Sequence, residues 1–280
     1  MFTRFFLCFT FIFVSNSLIH AQRSQQQNFF SLSELGVCVG KMYYIGDLNP
    51  YKQFYNTNNA FGLIYRYNIN SRLASKFSFL YGEVNGEDSD SKNPIHVNRN
   101  LSFFSTIYEF SGGIEFHYLP FQMGNKKYRG TTYLFVQGGG FYMNPKTVYN
   151  GEEVELQPLA TEGQGTSLSS RNSKYSLFQL CFPIGLGAKF SINKFINVNL
   201  EIGIRKTFTD YLDDVSSDTY VDANQLEVIN GSLSSDLSNR SLDGSRYGNR
   251  GDSKTSDWYV FYGAMITFRI GKTNKCAMPR

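Results

Sequence analysis

Beyond its amino-terminal segment, this 280-residue chain has no apolar run approaching the roughly 20 residues that a membrane-spanning helix needs. A helical membrane protein is thereby excluded. Cysteine is scarce: there are four, and Cys8 lies in the amino-terminal apolar stretch, leaving Cys38, Cys181 and Cys276. Their odd number and their spacing match neither a zinc site nor a disulfide framework. At least one thiol must stay unpaired, and cysteine does not hold the fold together. There is one Trp and only three His, and 27 basic residues stand against 23 acidic ones. That balance lacks the basic excess that tracks nucleic acid.

Aromatic residues and glycine are what the chain has in quantity. Aromatics make up 16 %, with 26 Phe, 19 Tyr and 25 Gly, while the mean hydropathy is only −0.30. Residues 1–21 read as a secretory signal: Arg4 supplies the positive charge, Phe5–Val14 the short apolar core, and Ala21 precedes a cleavage point at Gln22. Residues 22–280 then form one exported domain. An exported chain that is aromatic, glycine-rich and polar on average fits a transmembrane β-barrel. A secreted β-sandwich is the soluble alternative.

Alternation of apolar and polar residues predicts eight strands, near 34–44, 59–69, 72–84, 103–118, 131–143, 175–190, 195–207 and 257–270. Each is long enough for a tilted membrane strand, which takes about 9–11 residues. In "FINVNLEIGIRK" (195–206), Ile196, Val198, Leu200, Ile202 and Ile204 fall on one face and Asn197, Asn199, Glu201 and Arg205 on the other. Connections of about 2, 12 and 4 residues alternate with connections of roughly 14, 18, 31 and 49. Short turns at one rim and long loops at the other characterise an up-and-down barrel, and a Greek-key sandwich gives no reason for that alternation. The expected fold is therefore all-β: an eight-stranded antiparallel up-and-down transmembrane β-barrel with short periplasmic turns and long extracellular loops. Two stretches fit less well. Lys41 falls on the apolar face unless a bulge at Gly40 shifts the phase, and "VQGGGFYM" (136–143) allows either phase.

The polar face must point inward, because lipid can meet only the apolar one. It carries the bases Arg66, Lys76, Lys189, Arg205 and Arg269 and the acids Glu34, Glu109, Glu115 and Glu201. Eight strands leave an interior just wide enough for side chains to fill, and buried charges must pair. The near balance predicts an ion-paired plug and not a conducting pore. His117 shares this face beside a short turn, where a hydrogen-bonded lumen residue is expected rather than a general base. His96 falls in a long loop. A lipid-modifying enzyme would need a Ser–His–acid arrangement near the outer leaflet, and neither histidine is placed for one. No cofactor, metal or small-molecule substrate is expected.

The two rims differ in charge. The segments assigned to the periplasmic side contain Lys126, Lys127, Arg129, Lys194, Lys272 and Lys275 and no Asp or Glu. Such a rim suits anionic headgroups of the outer membrane's inner leaflet, or an acidic periplasmic protein. Most of the acid lies in the long loops. "RKTFTDYLDDVSSDTYVD" (205–222) holds five aspartates, but lacks the glycine and terminal glutamate of a calcium loop. Its expected meaning is a solvated loop beginning where the chain leaves lipid, with Phe208 and Tyr211 as interfacial aromatics. The last long loop, rich in Ser, Asn, Asp and Gly, should be mobile. Its "NRGDS" (249–253) matches a cell-adhesion tripeptide that arises easily by chance in such composition.

"ELGVCVGKMYYIGDLNP" (34–50), "AFGLIYRYNIN" (60–70), "YNGEEVELQPLATEGQG" (149–165) and "IRKTFTDYLDDVS" (204–216) together resemble the PorG-like family of outer-membrane barrels. The last two stretches are the most specific, since neither alternation nor composition explains them. The long insert before the last strand and the region around Cys276 depart from the family pattern. The resemblance implies a non-catalytic component of the type IX secretion system that ties a periplasmic ring to the outer membrane. Candidate docking residues are then Lys126, Lys127, Arg129, Lys272 and Lys275, with ring proteins and outer-membrane lipids as partners. A surface-binding or adhesion barrel that uses its long extracellular loops is the alternative.

Overall fold

The computed structural model describes residues 32–271. Eight strands close a barrel: β1 (Leu32–Ile45), β2 (Asn58–Asn68), β3 (Leu73–Glu87), β4 (Ser102–His117), β5 (Gly130–Tyr142), β8 (Phe178–Ser191), β9 (Ile196–Thr207) and β10 (Trp258–Ile270). A short hairpin, β6 (Pro145–Tyr149) and β7 (Glu152–Glu155), extends the sheet from β4 outside the barrel. Every neighbouring pair is antiparallel, and pairings of β1 with β10 and of β3 with β4 complete the circle. No barrel edge is left to pair with another chain, and closure lets the wall satisfy its own backbone groups at membrane depth.

Outside the wall lies the apolar row of each strand. Leu35, Val37, Leu63, Phe79, Phe110, Leu134, Leu186 and Leu200 are all exposed, as lipid-facing side chains must be. The ladder from Val39↔Ala264 through Gly40↔Gly263 to Lys41↔Tyr262 is continuous, so no bulge rescues Lys41. It faces out near the extracellular end, where its ammonium reaches the Thr57 carbonyl at 3.5 Å, a long side chain bending towards the polar boundary. In β5, Tyr133, Phe135, Gln137 and Phe141 point inward and Leu134, Val136 and Tyr142 outward, which settles the phase that sequence left open. Opposite Gln137 the β8 strand carries Pro183, which has no N–H to donate, and the ladder is interrupted there before resuming in the same register at Gly139↔Cys181.

The long connections are structured. Helix α1 (Pro94–Arg99) lies between β3 and β4, and α2 (Ala223–Asn230) and α3 (Ser232–Ser238) lie between β9 and β10. The mobile segment expected there is instead folded, because its apolar residues have a place to go. Tyr211, Leu212, Val215 and Leu237 pack with Met42, Tyr44, Phe103, Phe141 and Tyr259 in one buried cluster. The extracellular half of the barrel is thus an apolar core roofed by its own loops. At the other end Phe121 and Met123, from turn 118–129, close on Leu32. That turn is pinned by Gly124, whose φ of +75° and 2.8 Å approach of a would-be Cβ to the Lys194 backbone exclude other residues.

Candidate functional site

Three ion-pair layers occupy the lumen beneath the apolar core. Nearest the short turns, Arg66 lies between two carboxylates: its Nε is 2.9 Å from Glu115 Oε2 and its Nη1 3.2 Å from Glu34 Oε2. The Lys189 ammonium stands 2.6 Å from Glu115 Oε1 and over the Phe121 ring. His117 meets the same Glu115 oxygen at 2.8 Å and the Ser71 carbonyl at 3.2 Å, fully buried. One layer up, Lys76 pairs with Glu201 at 2.5 Å, and the Tyr133 hydroxyl donates to the same carboxylate. Higher still, Arg205 pairs with Glu109 at 3.2 Å, with Tyr259 and Ser111 donating to that carboxylate. Arg269 sits at register position Glu34 on β10, half-buried, and makes no ion pair among the described residues.

Sequence alternation found the charges of this lumen but not the neutral groups that complete them. Asn68 and Thr267 donate to Glu34 at 2.6 and 2.8 Å, and Tyr133 and Tyr259 read as aromatic filling until their hydroxyls are placed. Such partners decide whether a buried pair is tolerable, since unsatisfied lone pairs carry a desolvation cost of several kcal/mol per ion.

The turns at the short-turn rim carry Arg72, Lys126, Lys127, Arg129 and Lys194, and residues 69–72, 118–129 and 192–195 include no acidic residue. Lys126 and Lys127 are exposed, and Arg129 stacks its guanidinium 5.2 Å from the centre of Phe190. Lys272 and Lys275, the cleavage pair Ala21 and Gln22, and Cys276 lie outside the described residues. Cys38 and Cys181 are free and buried.

The aspartate run contradicts its expected reading. Asp213 and Asp214 are buried, not solvated, and Tyr211 stacks on Tyr175 at 4.5 Å within the roof instead of marking the lipid boundary; Phe208 remains exposed. The physical reason is a buried guanidinium. Arg250 is 2 % exposed; it lies 2.5 Å from Glu162 Oε1 and donates to the Asp214 carbonyl and to Thr161. Glu162 also accepts from the Ser216 and Ser217 amides, and Asp214 from the hydroxyls of Thr161 and Tyr175. The stretches 149–165 and 204–216, opaque in sequence, are two halves of this one latch. It also disposes of the adhesion tripeptide, because Arg250 is the arginine of "NRGDS".

A second group of acids lies beside the latch. Asp213 and Asp257 both receive the Tyr44 hydroxyl, at 2.5 and 3.1 Å. Burial holds both carboxyls well above the usual range, helped by repulsion from Asp257 and Asp47 at Asp213 and from Asp210 and Asp47 at Asp257. Burial pushes Asp214 to about 6 despite Arg250, and pushes Asp210 to about 8. Among the described residues no cluster of His, Cys, Asp or Glu has the arrangement of a metal site.

A closed eight-strand wall, greasy outside and ion-paired within, defines a transmembrane β-barrel of the outer-membrane type. The chain belongs to the family described as Domain of unknown function (DUF6089), matched over residues 6–279. No curated protein matches it. Among solved structures it is similar to Ail, the attachment invasion locus protein of Yersinia pestis, in complex with the heparin analogue sucrose octasulfate. The identity is 12 %, covering 86 % of this chain and 100 % of that one, with a TM-score of 0.42. Neisserial surface protein A matches at 6 % identity over 85 % and 97 % of the two chains, with a TM-score of 0.42. The amino-terminal barrel of Pseudomonas aeruginosa OprF matches at 8 % over 87 % and 100 %, with a TM-score of 0.35.

Proposed function

We propose that this protein is a closed, non-catalytic outer-membrane barrel that ties a periplasmic protein assembly to the membrane, in the service of type IX secretion. The observation that carries the reading is the periplasmic rim, basic and free of acid throughout its described turns. Such a one-signed surface selects acidic partners. A lumen filled by ion pairs and stoppered by Phe121 leaves no path for solute, which favours anchoring over transport. The secretion system itself enters through the resemblance of 149–165 and 204–216 to PorG-like barrels. Export through a signal cleaved between Ala21 and Gln22, and a contribution of Lys272 and Lys275 to the rim, belong to the same reading.

The test is a charge-reversal triple substitution, Lys126→Glu, Lys127→Glu and Arg129→Glu, in the producing cell. The barrel should still assemble, while stoichiometric periplasmic partners are lost from affinity-purified, detergent-solubilised envelopes. Unchanged co-purification would remove the rim as the docking surface. Crosslinks captured only through 144–174 or 209–256 would favour surface binding instead.

A further inference from the structure

On the extracellular surface the loops 46–57, 88–101 and 248–254 enclose a cleft of about 950 Å³. Its walls are fixed by bonds that cross between loops. Asn56 donates to Asp90 at 2.7 Å, and the Asp252 amide donates to Asp47 at 3.1 Å. Beneath them Arg99 binds Asp88, the Asp47 carbonyl and the Arg250 carbonyl, tying the floor to the roof latch. Ligand pockets are usually apolar with a few polar groups. Here, of 23 lining residues, only Leu48, Pro50 and Ile95 are aliphatic, while five are asparagines. Four basic and four acidic residues share the lining, so no one-signed field is available to a polyanion. Two tyrosines complete it: Tyr51 is 88 % exposed, and Tyr55 has one ring face taken by the Lys52 ammonium at 4.4 Å.

The Asn249 amide and the Lys92 and Lys254 ammonium groups, set beside the exposed Tyr51 ring and the second face of Tyr55, match one ligand chemistry, a chain of vicinal hydroxyls with C–H faces. Asn249, Lys92 and Lys254 make no side-chain hydrogen bond among the described residues and stand free to bind it. We propose that this cleft binds a neutral oligosaccharide, stacked on Tyr51 and Tyr55 and hydrogen-bonded by Asn249. This site faces away from the periplasm and does not depend on the docking role. The sugar could come from the lipopolysaccharide of the same membrane or from polysaccharide shed around the cell.

The experiment uses the whole protein in lipid nanodiscs, titrated calorimetrically with three probes. These are neutral oligosaccharides cut from the producing cells' lipopolysaccharide and freed of charged core fragments by anion exchange, neutral oligosaccharides cut from their shed polysaccharide and purified in the same way, and heparin. Saturable binding of either neutral probe is expected, and which one binds identifies the source. Tyr51→Ala should weaken it about fivefold, on the order of 1 kcal/mol at 1.4 kcal/mol per tenfold, with Asn249→Ala as a second variant. Both sites are exposed, so neither change should alter the barrel's heat-dependent mobility on a denaturing gel. The proposal is overturned if neither neutral probe saturates, if both variants bind like the parent, or if heparin binds more tightly than both.

Discussion

Arg250 reaches Glu162, Asp214 and Thr161 from a loop that composition marks as disordered, so this one side chain converts sequence polarity into buried structure. Removing one member of a buried pair costs about 3–5 kcal/mol because the other charge is left uncompensated. Arg250→Met should therefore open the roof. Protease should cut within 208–257 at low doses that leave the parent intact, while the heat-resistant barrel survives. The same cluster sets a pH dependence. Asp214 rises to about 6 and Asp210 to about 8 on folding, from about 3.9 when unfolded. A raised carboxyl stabilises the folded roof fully below the unfolded value, and that stability is lost as pH rises through the folded one. Amide exchange in 208–222, corrected for the intrinsic rate, should be slowest near pH 4 and accelerate from there to about pH 8, most steeply below pH 6, where both carboxyls contribute. A pH-independent corrected rate would contradict this.

At the scale of the strand, the period of two does most of the work. The outer row of β8, from Phe178 to Phe190, and the outer row of β9 are apolar wherever lipid touches them. Leu186→Lys places a charge on that row midway along β8, where a lipid-facing Lys costs about 2–4 kcal/mol. Urea unfolding in micelles should show a loss of that size, whereas a lysine in place of Val228, 87 % exposed on a loop helix, should cost little. Strand ends agree with the sequence reading to within a few residues, since alternation ends where lipid does. The hairpin β6–β7 was not legible. It is short, pairs with β4 through only two residues, and its polar face gives no alternation to read.

For the molecule as a whole, both mouths of the barrel are stopped: Phe121 and Met123 at one, and the loop roof at the other. Purified protein in planar bilayers should show no single-channel steps, in Arg250→Met as well as in the parent, because the lumen ion pairs lie below the roof and do not depend on it. Steps in the parent would show that the ion-paired plug is permeable. The two rims are then free to serve different ends, the basic one inward and the tyrosine- and asparagine-lined cleft outward.

The sequence by itself determined the wall. Alternation, connection lengths and balanced inward charge identify an eight-stranded closed barrel with a filled interior, because lipid and water sort side chains locally and each strand records that sorting independently. Which charge meets which across the lumen, and the burial of Asp213, Asp214 and Arg250, were decided only by the tertiary structure. Those partners are separated by tens to more than a hundred residues. A carboxylate that will be buried against a distant guanidinium has the same neighbours in sequence as one that will stay in water.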